Sequence, residues 1–182
     1  MEGSRMSSRS VEHQMKTANR FNLVKNKNIF ECVATSLKED HSTNILIPFV
    51  CSDDNKFRSK FLNYSFKHFP YLENNFFANK ITLGKVDFFK VSTTAFKNSL
   101  IFASMPCHRT KGFGRKVNYG ELASCMHQIT NAIQRSRKTS DEFNVCIHAP
   151  KFGTGKSGGD WNIISELVND IWDSCEVFIY AP

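Results

Sequence analysis

The chain lacks most of the features that assign a function at a glance. It has no C-x-x-C pair and no close Cys/His cluster, because its six cysteines (Cys32, Cys51, Cys107, Cys125, Cys146, Cys175) stand singly. That spacing excludes a zinc finger or a dithiol redox motif, and it points to reduced, mostly buried thiols with no metal site. No apolar run approaches the roughly 18 residues of a membrane-spanning helix. The polar N-terminal stretch also lacks the apolar centre of a secretory leader, so a cytoplasmic protein without a membrane partner is expected. Acidic residues are in deficit, 17 against 24 basic ones, and the net charge of +7 favours phosphate-bearing ligands or nucleic acid. Trp and Tyr are scarce, at 2 and 4, whereas 17 Phe promise an aromatic core.

What is present reads as one soluble domain, with 41% hydrophobic and 23% charged residues over 182 positions. Residues 1–20 carry Arg5, Arg9, Lys16 and Arg20 without apolar periodicity, and read as a flexible basic extension that orders only against an anionic or protein partner. The folded unit is placed at residues 21–182. Strands are expected at residues 21–24, 44–50, 85–91, 100–104, 145–148 and 176–180. Several are nearly continuous in apolar residues, as strands covered on both faces are. Helical spacing links Phe57, Phe61 and Tyr64. A stronger stripe joins Leu122, Cys125, Met126, Ile129 and Ile133, and a third joins Ile164, Leu167, Val168 and Ile171. These stripes read as packing faces. Strands alternating with helices predict an α/β layered fold. Residues 106–116 are expected to form a mobile basic loop and residues 136–142 a solvated turn.

The segment richest in chemistry runs from Val145 to Trp161, a strand entering a loop with Gly153, Gly155, Gly158 and Gly159, then a helix. Glycines permit positive φ and close approach of a ligand to the backbone. Amides and the dipole at a helix N-terminus favour an anion, so Gly153, Thr154, Gly155, Lys156, Ser157, Gly158 and Gly159 are read as a phosphate cradle. The letters Gly155-Lys156-Ser157 invite comparison with the nucleoside-triphosphate loop G-x-x-x-x-G-K-[ST], but Pro150 stands where its first glycine belongs. A nucleoside triphosphatase is excluded on that ground and for want of a downstream metal-binding strand.

The order His148-Ala-Pro150, Lys151-Phe-Gly-Thr-Gly155, Gly158-Gly-Asp-Trp161 and a last strand ending Val177-Phe-Ile-Tyr180 resembles the final third of macro domains. It is most similar to the ADP-ribose-1″-phosphate phosphatase-like branch found in phages and fungi. Upstream, Leu83-Gly84-Lys85-Val86 resembles a strand start and Tyr119-Gly-Glu-Leu122 the tyrosine-led helix of that branch. The resemblance spans roughly residues 21–181. It implies a three-layer α/β/α fold around a central mixed sheet, an ADP-ribose-like ligand across the sheet crest, and no separate cofactor. Asn28 falls where the family recognises adenine through an aspartate, Ser52 falls near the distal ribose, and Tyr180 flanks the base or ribose. The first ligand loop departs from the pattern: residues 51–61 contain no glycine, and Arg58 and Lys60 stand where the branch keeps the chain bare.

If the domain is an active hydrolase on ADP-ribose derivatives, His148, Asp53, Asp54 and Asp160 are the groups near the crest that could position water. A core histidine and a helix N-cap are the structural alternatives for His148 and Asp160. No histidine is spaced to activate Cys51 or Cys107 as a nucleophile. The basic runs at residues 56–67 and 109–116, with interleaved Phe, could instead grip nucleic acid. The competing function is therefore a degenerate, non-catalytic domain that serves as an interaction module in a viral or nucleoprotein assembly, located in a host cytoplasm or a virion.

Overall fold

Apolar runs separated by amphipathic stretches arrange themselves as eleven elements among the described residues of a computed structural model, which covers residues 20–54, 58–91, 98–111, 116–139 and 144–182. In chain order these are β1 (Asn22–Lys25), α1 (Ile29–Glu39), β2 (Thr43–Ser52), α2 (Lys60–His68), α3 (Pro70–Ala78), β3 (Asp87–Val91), β4 (Leu100–His108), α4 (Tyr119–Thr139), β5 (Asn144–Pro150), α5 (Trp161–Ile171) and β6 (Glu176–Ala181). The six strands form one sheet in the order β1-β6-β5-β2-β4-β3, parallel throughout except for β3. The fold is α/β with a mixed central sheet.

Two cores lie on opposite faces of that sheet. Along β2 the side chains alternate: Ile45, Ile47, Phe49 and Cys51 enter one core, Leu46 and Val50 the other. The first core holds Ile29, Val33 and Leu37 of α1, Leu62 and Phe66 of α2, and Leu72 and Phe76 of α3. The second holds the α4 stripe from Leu122 to Ile133 and Ile164, Val168 and Ile171 of α5, as the spacing requires. Trp172 closes it at 1% exposure, donating its indole N–H to Met126 O at 3.2 Å.

Several expectations need correction. Helix α1 was not foreseen, although Asn28 followed by Ile29, Val33 and Leu37 is a capped stripe at spacing four. Helix α2 ends at His68, and Pro70 begins α3 at its first turn, since its missing N–H is one that a helix start leaves unused. Strand β4 runs on to His108. Gly84 N donates to Pro106 O on the β3 side, where β3 has already ended opposite Ser104, so proline there removes no ladder bond. Helix α4 continues through Ser136, Arg137 and Lys138 to Thr139, its basic last turn suiting the helix dipole. Phe61 and Tyr64 do not form the packing face of α2, which buries Leu62, Ser65 and Phe66 instead, one residue out of phase. Phe57 lies outside the described residues. So does the basic extension apart from Arg20, whose N–H donates to Asn169 Oδ1 at 2.9 Å.

His148 is part of this core. It is 4% exposed, its Nδ1 is 2.7 Å from Tyr180 Oη, and its ring stacks on Phe178 with centroids 4.9 Å apart. Burial lowers its pKa from 6.5 to about 4. The unfolded chain then takes up a proton that the folded one refuses, so stability is complete above pH 6.5 and falls as pH drops towards 4. The loss is at most about 3 kcal/mol. His148→Gln removes this proton uptake, so the urea-denaturation gap between wild type and variant should narrow over that window. A gap that stays constant contradicts a buried neutral His148.

Candidate functional site

The parallel strands end together at one edge, and there β2 and β5 part. Their pairing stops at Leu46 opposite Ile147, although β2 continues to Ser52 and β5 to Pro150. Ile45 N donates to Ser99 O on the β4 side, so by alternation the nitrogen of Pro48 faces β5. Lys151 N donates to Tyr180 O, so the nitrogen of Pro150 faces β2. Neither proline has a hydrogen to extend the ladder, and the gap opens into a cleft.

The cleft has two connected parts that share Lys60, Phe61, Tyr180 and Pro182. The larger, about 580 Å³, is lined by Phe49 and Val50, by Arg58, Lys60, Phe61 and Asn63, and by residues 150–157. Four of its lining residues are basic (Arg58, Lys60, Lys151, Lys156) and none is acidic, a balance suited to a pyrophosphate. The smaller, about 480 Å³, lies over the carboxyl ends of β1 and β6 and is walled by Asn26, Asn28, Ile29, Phe61, Tyr64 and Tyr180. Asn26 adopts φ 54 to make the turn there, a conformation asparagine tolerates. Behind this wall Phe30 stacks on Phe61 at 5.6 Å and on His68 at 5.5 Å.

The glycine-rich loop is held from beneath. Gly159 N donates to Gly153 O and Gly158 N to Gly155 O, both at 2.9 Å, while Lys116 N and Val117 N both donate to Ser157 O. Ser157 Oγ lies 3.0 Å from Nδ1 of the buried His108. Gly153 and Gly158 have φ of 76 and 67, and a Cβ on Gly159 would sit 2.6 Å from Gly153 O. Those three glycines are required by the loop itself. A Cβ on Gly155 meets nothing within 4 Å. Among the described residues, the amides of Thr154, Gly155, Lys156 and Ser157 donate to no protein acceptor. The first turn of α5, by contrast, is already capped: Asp160 Oδ1 accepts from Asn162 N at 2.8 Å. The loop amides at residues 154–157, on the cleft wall, are the anion donors that face the cleft.

Of the residues singled out in the sequence, Asn28, Tyr180 and residues 153–157 line the cleft. Gly158 and Gly159 shape the loop behind it. Asn28 caps α1, its Oδ1 accepting from Phe30 N at 2.9 Å. Ser52 is fully buried and donates to Asp54 Oδ1 at 2.9 Å. Asp53 meets Thr110 Oγ1 at 3.5 Å, away from the cleft lining. Asp160 serves as the N-cap, and His148 sits below Tyr180 without lining the cleft. The thiols of Cys51, Cys107, Cys125, Cys146 and Cys175 are all pushed up by burial, which suits inert core cysteines rather than nucleophiles. The sequence reading passed over Lys151, Pro182 and Asn26. Lys151 directly follows the strand-ending Pro150 and was legible from its place; Pro182 and Asn26 carry no local signal.

No protein-family model matches the chain, and no curated protein matches it. Solved structures do. A macrodomain protein from Streptomyces coelicolor is similar at 18% identity over 88% of this chain and 99% of that one, with TM-score 0.58. The macrodomain of Thermus aquaticus DarG is similar at 13% identity, covering 89% and 98%, with TM-score 0.62. Thermosipho africanus DarTG, solved in complex with ADP-ribose, is similar at 17% identity over 88% of this chain and 42% of that one, also with TM-score 0.62. At such identities the likeness speaks for architecture, and the architecture of this chain is that of a macrodomain.

Proposed function

We propose that the cleft binds ADP-ribose or a closely related phosphorylated nucleotide, with the pyrophosphate against residues 153–157. The observation that carries this reading is the set of unspent amides at Thr154, Gly155, Lys156 and Ser157 on the wall of a cleft rimmed by basic side chains. Oriented backbone amides form an anion-binding concavity, and each bond to a charged oxygen contributes about 1.5 to 3 kcal/mol. The place is also the one where open parallel sheets hold ligands, outside the carboxyl ends of the strands. A neighbour of the same architecture is solved with ADP-ribose, which supports the choice of nucleotide.

Binding without turnover is the reading we favour over hydrolysis of ADP-ribose-1″-phosphate. A hydrolase needs a group free to position water. Asp160 is committed to its helix cap, His148 is buried against Tyr180, and Asp53 stands off the cleft wall. Arg58, on the cleft wall, is held over the Phe77 ring at 4.6 Å and 3.9 Å from Glu73, towards α3.

Calorimetry with ADP-ribose on the purified chain should show saturable binding, and incubation with ADP-ribose-1″-phosphate should release no phosphate above a buffer control. Gly155→Val is the site-directed test. Its Cβ has room in the loop, so the melting temperature should stay within roughly 3 °C of wild type, the shift of about 1 kcal/mol in a domain of this size. The branched side chain projects where the phosphate would lie, and affinity should fall at least about tenfold. Unchanged affinity in the folded variant rules out the phosphate position.

A further inference from the structure

A buried histidine stands behind the anion loop. His108 ends β4 at 5% exposure, and its Nδ1 lies 3.0 Å from Oγ of Ser157, which is itself 2% exposed. Ser157 is the last of the four residues whose amides donate to no acceptor among the described residues, and it lines the larger part of the cleft. An anion on those amides would therefore have the imidazole one residue behind it. Charged groups bear on the ring from two sides. Asp53 and Asp54, just past the end of β2, favour its charged form, while Lys116 opposes it. Burial opposes it most strongly, and the pKa is held below the usual 6.5.

Resting on the nucleotide reading above, we infer that His108 positions the anion loop through Ser157 and takes up a proton when a phosphate group binds at residues 154–157. A neutral ring can accept from the serine hydroxyl, whereas a protonated ring can only donate. Ser157 Oγ must then accept, and its own hydrogen turns away from the ring. A negative charge on the loop favours the protonated ring, and because His108 and Ser157 are both buried the attraction is weakly screened. The proton is drawn from solvent and returned to it when the ligand leaves. Linkage fixes the sign: a group whose proton affinity rises on binding makes binding tighter as pH falls. The gain is absent well above the pKa of the liganded state, and it is complete once pH lies below that of the free ring.

The test is titration calorimetry of the full chain with ADP-ribose from about pH 8 to about pH 5.5, repeated near the acid end in buffers of different ionisation enthalpy. The pyrophosphate of ADP-ribose does not titrate in that window, and His148, with its pKa of about 4, stays neutral through it. Affinity should rise about three- to tenfold across the window, tenfold being the limit for a shift of one pKa unit, with uptake of a fraction of a proton. Magnetic resonance of the wild-type histidine rings should show the His108 pKa rising on saturation with ADP-ribose. His108→Gln keeps a hydrogen-bonding partner for Ser157 that does not titrate, and its affinity should be independent of pH. Ser157→Ala keeps the loop amides and should bind with a smaller pH dependence. Saturable binding with no proton uptake, or with a His108 pKa that the ligand does not move, overturns the inference and leaves the nucleotide site standing. A pH dependence that persists unchanged in folded His108→Gln overturns it too, and one unchanged in Ser157→Ala overturns the route through the serine. Absence of ADP-ribose binding at every pH by the folded chain overturns this inference together with the reading beneath it.

Discussion

The site depends on two strands that cannot stay paired. Strands β2 and β5 are neighbours in the middle of the sheet, buried on both faces, and nothing in their side chains discourages pairing to the end. Pro48 and Pro150 do so through the backbone, because each puts a nitrogen without hydrogen into the gap between the strands. Past Leu46 and Ile147 the two strands bend towards their other partners. The opening they leave is lined by Phe49 and Val50, by residues 150–157 and by side chains at the start of α2. A cleft formed this way exists before any ligand arrives, and preformed sites lose less entropy on binding.

A second constraint is visible in the loop that closes one side of the opening. Glycine is used there for two different reasons that sequence cannot separate. At Gly153 and Gly158 the backbone turns through positive φ, and at Gly159 another carbonyl lies too close for a side chain. Gly155 answers to neither demand: a Cβ there would meet nothing within 4 Å. Ser157 ties the far end of the loop to the strand β4 side through His108 and to residues 116–117 through its carbonyl. The amides of residues 154–157 are thus held in place without being consumed, the condition for binding an anion at low entropic cost.

Much of the fold was legible because it rests on periodicity. The stripes of α4 and α5 and the apolar runs of β2, β4, β5 and β6 state their own burial. What could not be read were features set by partners distant in the chain. Tyr64 and Phe61 look like a packing stripe until the start of α2 at Lys60 fixes which residues turn inward. Asn26, Asn28, Tyr64 and Pro182 converge only because β1 lies beside β6, a pairing between opposite ends of the domain. His148 and Asp160 were chosen as chemically able residues near the right loop. Their burial and capping depend on Tyr180 and on the start of α5, partners that local sequence does not show.

Asn28 shows how a structural duty can set the chemical character of a pocket. Any residue at the start of α1 must supply an oxygen to an otherwise unpaired amide, and aspartate, serine or asparagine would serve. With aspartate the second carboxylate oxygen stays free, and the pocket beside it gains an acceptor and a negative charge. With asparagine the same cap leaves a neutral amide nitrogen as the second group, next to Lys27 and Lys60. The choice is nearly neutral for the helix, so stability places little constraint on it. The difference falls almost entirely on whatever lies against the open end of the amide, and the character of the pocket follows from one atom beyond the reach of the fold.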